Sequence, residues 1–93
     1  MEYKKLPAVS VIIPCYNQGA YIRETLESVW AQTFVDYEII VVNDGSTEPG
    51  TVSILRGLSG PQLRVIHTEN QGLSGARNTG IRESTGRYLL PLD

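Results

Sequence analysis

VSVIIPCYNQGAYIRETLESVW, residues 9–30, is the stretch that decides the fold. Residues 9–13 are nearly continuous in apolar character, the pattern of a strand covered on both faces. After the break PCYNQGA, Ile22, Leu26, Val29 and Trp30 recur at i, i+4, i+7 and i+8, the stripe of a helix lying on a sheet. The remainder repeats this alternation. YEIIVV (37–42), LRVI (63–66) and RYLLPL (87–92) have the length of strands. The second connection, 50–58, carries Val52, Leu55 and Leu58 on a short helix. In the third, Gly72, Ala76 and Gly80 fall at i, i+4 and i+8 with Leu73 and Ile81 beside them, a face small enough to bring a helix close to the strands beneath it. Strand and helix in alternation imply right-handed βαβ units and a parallel sheet.

Ninety-three residues allow one small domain, 1–93, and no repeat, low-complexity tract or linker divides it. The fourth apolar run stops at Leu92 and Asp93 with no covering helix after it, so the chain reads as cut short. A formal charge of −2 gives no electrostatic reason to expect nucleic acid or an anionic membrane surface. No apolar stretch approaches the roughly 20 residues of a membrane span, and the start, MEYKKLPAVS, does not read as a signal peptide. The lone Cys15 has no disulfide partner within the chain. These features together suggest a cytoplasmic setting, with membrane association of the parent protein on the cytoplasmic face as an alternative.

In open α/β sheets ligands bind beyond the carboxyl ends of the strands. Pro14, Cys15, Tyr16 and Asn17 follow the first run there, Asn43 to Thr47 the second, His67 to Gln71 the third and Asp93 the fourth. The first turn has a single glycine and no phosphate-cradling GxGxxG or GxxxxGK[ST] appears anywhere. If a nucleotide diphosphate binds at this rim, something other than that loop must neutralise its phosphates; a divalent cation held by carboxylate oxygen is the natural substitute, and Asp93 stands where such a ligand would. Tyr16 offers a flat face to a base, Asn17 an amide, and Asp44 an acceptor for a base N–H or a ribose hydroxyl. Together they describe a base-and-ribose pocket. Each has a plainer role open to it: Asp44 as a turn or capping carboxylate, Tyr16 as a packing aromatic, Asn17 as the N-cap of the following helix, Arg77 as a solvated or ion-paired cation. His67, with no second ligand at metal spacing, reads as structural, and Cys15 as a small apolar filler.

The stretches 9–47, NQGLSGARNTGI (70–81) and YLLPLD (88–93) resemble, in order and spacing, the opening, third-helix segment and metal-motif strand of family 2 glycosyltransferases. The resemblance spans residues 8–93. It implies a GT-A fold, here a three-layer, Rossmann-like parallel sheet in the order 3-2-1-4. It also implies a nucleoside-diphosphate-sugar donor, most often UDP-linked, Mg²⁺ or Mn²⁺, and inversion at the anomeric carbon. Carried onto this sequence, Pro14, Tyr16 and Asn17 line the base pocket and Asp44 holds the base or ribose. Asn70 and Arg77 lie toward the diphosphate or sugar, and Asp93 is the first aspartate of the metal motif. No residue within the chain is assigned as catalytic base, so the 93 residues alone are expected to bind a donor without transferring its sugar. The acceptor, whether saccharide, lipid or protein, is not specified. Glu48-Pro49 replaces the aspartate that many relatives carry after GST, which implies a changed helix start without functional loss.

Two other classes compete with an enzyme: a nucleotide-binding module without activity, and a phosphoacceptor or flavin-type domain keyed on Asp44. The second lacks an acidic pair or phosphate loop beside that residue. Two further expectations are specific. As a rim carboxylate facing ligand, Asp44 is expected to matter little to stability, and the edge strand 87–92 is expected to drive self-association.

Overall fold

The computed structural model describes residues 7–32 and 36–92. The strands are β1 (Val9–Cys15), β2 (Tyr37–Asp44), β3 (Leu63–Thr68) and β4 (Tyr88–Pro91), and the helices α1 (Gly19–Trp30), α2 (Pro49–Gly57) and α3 (Gly72–Glu83). All strand pairs are parallel and the order is β3-β2-β1-β4, as expected. β1 and β2 each run past their apolar cores into the polar residues that follow, to Cys15 and Asp44. The ladder therefore carries Asn43 and Asp44 to the rim in strand geometry, opposite Cys15 and Thr68 respectively.

Period-two alternation sorts the strand side chains between two cores. Val11, Ile13, Cys15, Tyr37, Ile39 and Val41 pack with Ile22, Leu26, Val29 and Leu55 of α1 and α2. On the other face Ile40 and Val42 pack with Ala76 of α3. Four consecutive residues of β2, Ile39 to Val42, are fully buried, and each such side chain contributes about 1.5–3 kcal/mol.

α2 differs in detail from the sequence reading. Its buried face is Thr51 and Leu55, with Ile54 and Leu58 partly covered. A threonine is tolerated there because its hydroxyl accepts from Gly19 N–H (3.0 Å) and donates to Glu48 (2.7 Å). Pro49 falls at the first helical position, where its fixed φ and missing N–H cost nothing.

α3 packs on β2 and β1, crossing back toward β4. Its buried face is Ala76, Thr79 and Gly80. A Cβ on Gly80 would lie 2.4 Å from Ile12 Cγ2, so the close approach expected of a small face is real at that position. Gly72 does not share it: it opens the helix at φ +81° with nothing pressing on its α-carbon. Leu73 and Ile81 are largely exposed.

At the amino ends of the strands, Glu38 ties three segments together. Its Oε2 accepts from Ser10 Oγ (2.5 Å), Thr85 N–H (2.7 Å) and Thr85 Oγ1 (3.0 Å), while Ser10 Oγ also accepts from Gly86 N–H (2.8 Å). Burial alone would raise the Glu38 pKa. The Ser10 and Thr85 hydrogen bonds and the Arg64 charge outweigh it and hold the carboxyl below its ordinary value.

Candidate functional site

At the carboxyl rim, the ends of β1 and β2 and the start of α3 enclose a cleft of ≈ 300 Å³. Pro14 and Cys15 come from β1, Tyr16 and Gln18 from the turn after it, Asp44 from the end of β2, and Asn70, Gly72, Leu73 and Ala76 from the β3–α3 connection and the first turns of α3. Four of the residues singled out in the sequence, Pro14, Tyr16, Asp44 and Asn70, are thus brought together. Tyr16 is 46% exposed.

Asp44 is only 3% exposed, which sets its carboxylate at the cleft floor. Its Oδ1 accepts from the Gln71 backbone N–H at 2.7 Å, and its Oδ2 lies 3.3 Å from the amide nitrogen of Asn70. That amide also donates to the Asp44 carbonyl at 3.0 Å. Gln71 is the N-cap of α3 and makes no side-chain cap bond of its own, so a carboxylate from another strand serves one of the donors at this helix start. These bonds run against the expectation that Asp44 matters little to stability: the residue latches the β3–α3 loop to β2 while keeping lone pairs open toward the cleft. Gly45 reinforces the latch. It sits at φ +68°, and a Cβ there would meet the Asn70 backbone nitrogen at 2.4 Å, so no other residue allows this approach.

Asn17 and Arg77 lie outside the cleft wall. Asn17 does not cap α1 either, since Gln18 holds the N-cap position without a side-chain bond. Its backbone is left-handed, φ 53°, which asparagine tolerates better than most residues. Its Oδ1 accepts from the backbone N–H groups of Thr47 and Glu48, both at 2.9 Å. Arg77 is half-buried on α3 beside Ala76. Asp93, expected as a metal ligand, lies outside the described residues. Among the described residues no cluster of three or more His, Cys, Asp or Glu could hold a metal ion, and Asp44 by itself makes no such site.

Two plainer readings gain partners. His67 Nδ1 lies within hydrogen-bond distance of Asn43 Nδ2, 3.0 Å, across the β2–β3 ladder. Burial pushes the Cys15 thiol up, more than a backbone hydrogen bond from Gln18 lowers it, so it remains a neutral apolar wall. Gln18, Gly72 and Leu73 were not singled out as site residues. Leu73 is in register with Ala76 and Gly80 and so reads as core, but the first turn of α3 overhangs the strand ends and leaves it at the cleft.

A parallel sheet with a mixed polar and aromatic cleft beyond its strand ends, where α3 carries the chain back across β2 and β1, defines a Rossmann-like fold with a candidate small-ligand cleft. The family model for glycosyl transferase family 2 matches residues 10–93, and the chain belongs to that family. An uncharacterized glycosyltransferase of Rickettsia bellii is 44% identical over 83 residues, 89% of this chain and 12% of the relative. The uncharacterized glycosyltransferase EpsJ of Bacillus subtilis is 44% identical over 85 residues, 90% of this chain and 25% of the relative. Among solved structures, the mannosyltransferase PcManGT of Pyrobaculum calidifontis, in complex with GDP-Man and Mn²⁺, superposes with a TM-score of 0.73 at 34% identity, covering 87% of this chain and 25% of that one. TarS of S. aureus, residues 1–349, gives 0.79 at 31%, covering 92% and 27%. The fold these structures share is of the GT-A kind. The chain spans about a quarter or less of the curated relatives named here.

Proposed function

We propose that this chain is the donor-nucleotide side of a longer glycosyltransferase that transfers a sugar from a nucleoside diphosphate, UDP-linked, to an acceptor with inversion. The observation that carries the reading is the convergence of Tyr16, Asp44 and Asn70 on one cleft from three separate strand ends. Tyr16 supplies a stacking face and Asp44 an acceptor at the floor. Asn70 is fixed between the Asp44 carbonyl and the cleft. At ≈ 300 Å³ the cleft is at the lower end of small-molecule sites. GDP is the second reading, favoured by the GDP-Man complex of PcManGT.

The cation, Mg²⁺ or Mn²⁺, would engage Asp93, and its chemistry would be to neutralise charge on the departing diphosphate. The described residues supply no further ligand set for it. In this reading no residue of the chain serves as general base toward an acceptor, so the 93-residue chain binds donor and transfers nothing. A cytoplasmic setting, with the longer protein at the cytoplasmic face of a membrane as the alternative, belongs to the same proposal and rests on the single cysteine of the chain. No helix among the described residues is long and apolar enough to cross a membrane.

Equilibrium titration of the chain and of Tyr16→Ala with UDP tests the reading. Loss of base stacking should weaken UDP about tenfold, from the roughly 1–3 kcal/mol such a contact provides. Equal affinity in the two proteins, or hydrolysis of a UDP-sugar by the chain alone, would count against it.

A further inference from the structure

We propose that Asn17 is a positioning residue for the donor nucleotide, setting the separation of Tyr16 and Asp44 by clamping the β1–α1 turn onto the β2–α2 loop. The inference rests on the reading of the cleft as the nucleotide site. Asn17 touches no part of that cleft, yet it makes more polar contacts than any residue in the turn that carries Tyr16. Its N–H donates to Ser46 Oγ (3.1 Å) and its Nδ2 to Thr47 Oγ1 (3.2 Å), while its Oδ1 accepts from Thr47 and Glu48 N–H.

The two N–H groups it satisfies belong to Glu48, the N-cap of α2, and to Thr47 just before it. Glu48 itself makes no side-chain cap bond to the first turn of the helix. The lead-in to α2 is therefore held from another loop, which ties the 44–48 segment to the 16–18 turn. The left-handed backbone at Asn17 is what turns its side chain toward that loop in the residue immediately after Tyr16. Asp44 and Gly45 lock the same segment to Asn70 on its other side. The 44–48 segment is thus the common anchor of both cleft walls, and Asn17 is the only side chain of the 16–18 turn bonded to it among the described residues.

Asn17→Gly and Asn17→Asp separate clamp from backbone. Glycine keeps the positive φ and removes the carboxamide. Aspartate keeps an acceptor oxygen and also tolerates the left-handed region. Amide hydrogen exchange at Thr47 and Glu48 and the dissociation constant for UDP are measured in each protein well below its melting transition. The expected result is that Asn17→Gly, which loses all three side-chain hydrogen bonds, exchanges faster at both amides and binds UDP about tenfold more weakly, the part of the loss felt at the cleft being on the order of one net hydrogen bond. Asn17→Asp should match the unaltered chain within a factor of about two on both readouts, since both acceptor bonds remain.

A role confined to stability would leave UDP affinity unchanged in the folded population. Glycine binding UDP as tightly as the unaltered chain, or aspartate as weakly as glycine, overturns the proposal. If the unaltered chain does not bind UDP or GDP, the nucleotide reading fails first and takes this role with it, which the variants cannot mimic. Should Asn17→Gly fail to fold, Ser46→Ala removes the acceptor of the Asn17 N–H and should weaken UDP in the same direction, by about threefold for one bond. No change in that variant overturns the proposal equally.

Discussion

Replacing Asp44 by alanine separates a latch from a carboxylate that only faces ligand. The contact to Gln71 N–H, at 2.7 Å, is charge-assisted and sits at the start of α3, so its loss lies in the range of about 1.5–3 kcal/mol. The Asn70 contact at 3.3 Å is long and adds little. Gln71 is exposed, so water takes over its freed N–H and holds the cost down. Removing a buried carboxylate also relieves its desolvation. The net expectation is a loss of about 2 kcal/mol, or a fall in Tm of roughly 8–16 °C for a domain of this size. Asp44→Asn retains an acceptor for Gln71 but turns an amide against the Asn70 amide, and should lose about 1 kcal/mol. Urea and thermal unfolding followed by circular dichroism measure both. An alanine variant within about 0.5 kcal/mol of the unaltered chain, the range of an uninvolved surface change, would refute the latch.

Gly80→Ala should destabilise by about 1–3 kcal/mol, because the new methyl meets Ile12 Cγ2 at 2.4 Å and α3 must lift from the sheet. Unfolding midpoints check it, and an alanine that stabilises the helix would contradict the close approach. Glu38 has a folded-state pKa below its unfolded one, so its contribution is fully present above the unfolded value and is lost as pH falls through the folded value. Stability of the unaltered chain should therefore drop on acidification through and below the ordinary carboxylate range. Glu38→Gln should be about 1 kcal/mol less stable at neutral pH and show a flatter acid limb, and parallel pH profiles would contradict this. We also expect the chain to self-associate through β4, an edge strand with Tyr88, Leu89 and Leu90 exposed. Tyr88 and Leu92 direct their N–H groups inward to Ala8 and Ile12, so the alternation leaves Leu89 facing out and places Pro91, which has no N–H, on the same outer side. Sedimentation should show dimers or larger species at tens of micromolar that Leu89→Lys dissolves, and a monomer throughout would count against the edge.

The strands were legible because β-branched runs between polar breaks have few other uses, and the order followed from the family resemblance. The small face of α3 was legible at Ala76 and Gly80 and misleading at Gly72, whose role is its positive φ. Spacing alone does not separate a glycine kept for its missing Cβ from one kept for its backbone freedom. Asp44 was legible as a rim carboxylate but not as a latch, because its principal partner is a main-chain N–H contributed 27 positions away, which no residue type marks. Asn17 read as a pocket amide or a cap for α1. It holds the lead-in to α2 instead, at Thr47 and the N-cap Glu48, from a left-handed backbone.

Stepwise addition of UDP with Mg²⁺ to the ¹⁵N-labelled chain, followed by the backbone amide shifts, bears most directly on the donor cleft. Saturable shifts at Tyr16, Asp44, Asn70 and Leu73, weaker with GDP and absent with ADP and NAD, are the predicted result. Shifts confined to the amino-end groove around Glu38 and Arg64, or an equal response to ADP and NAD, would contradict it.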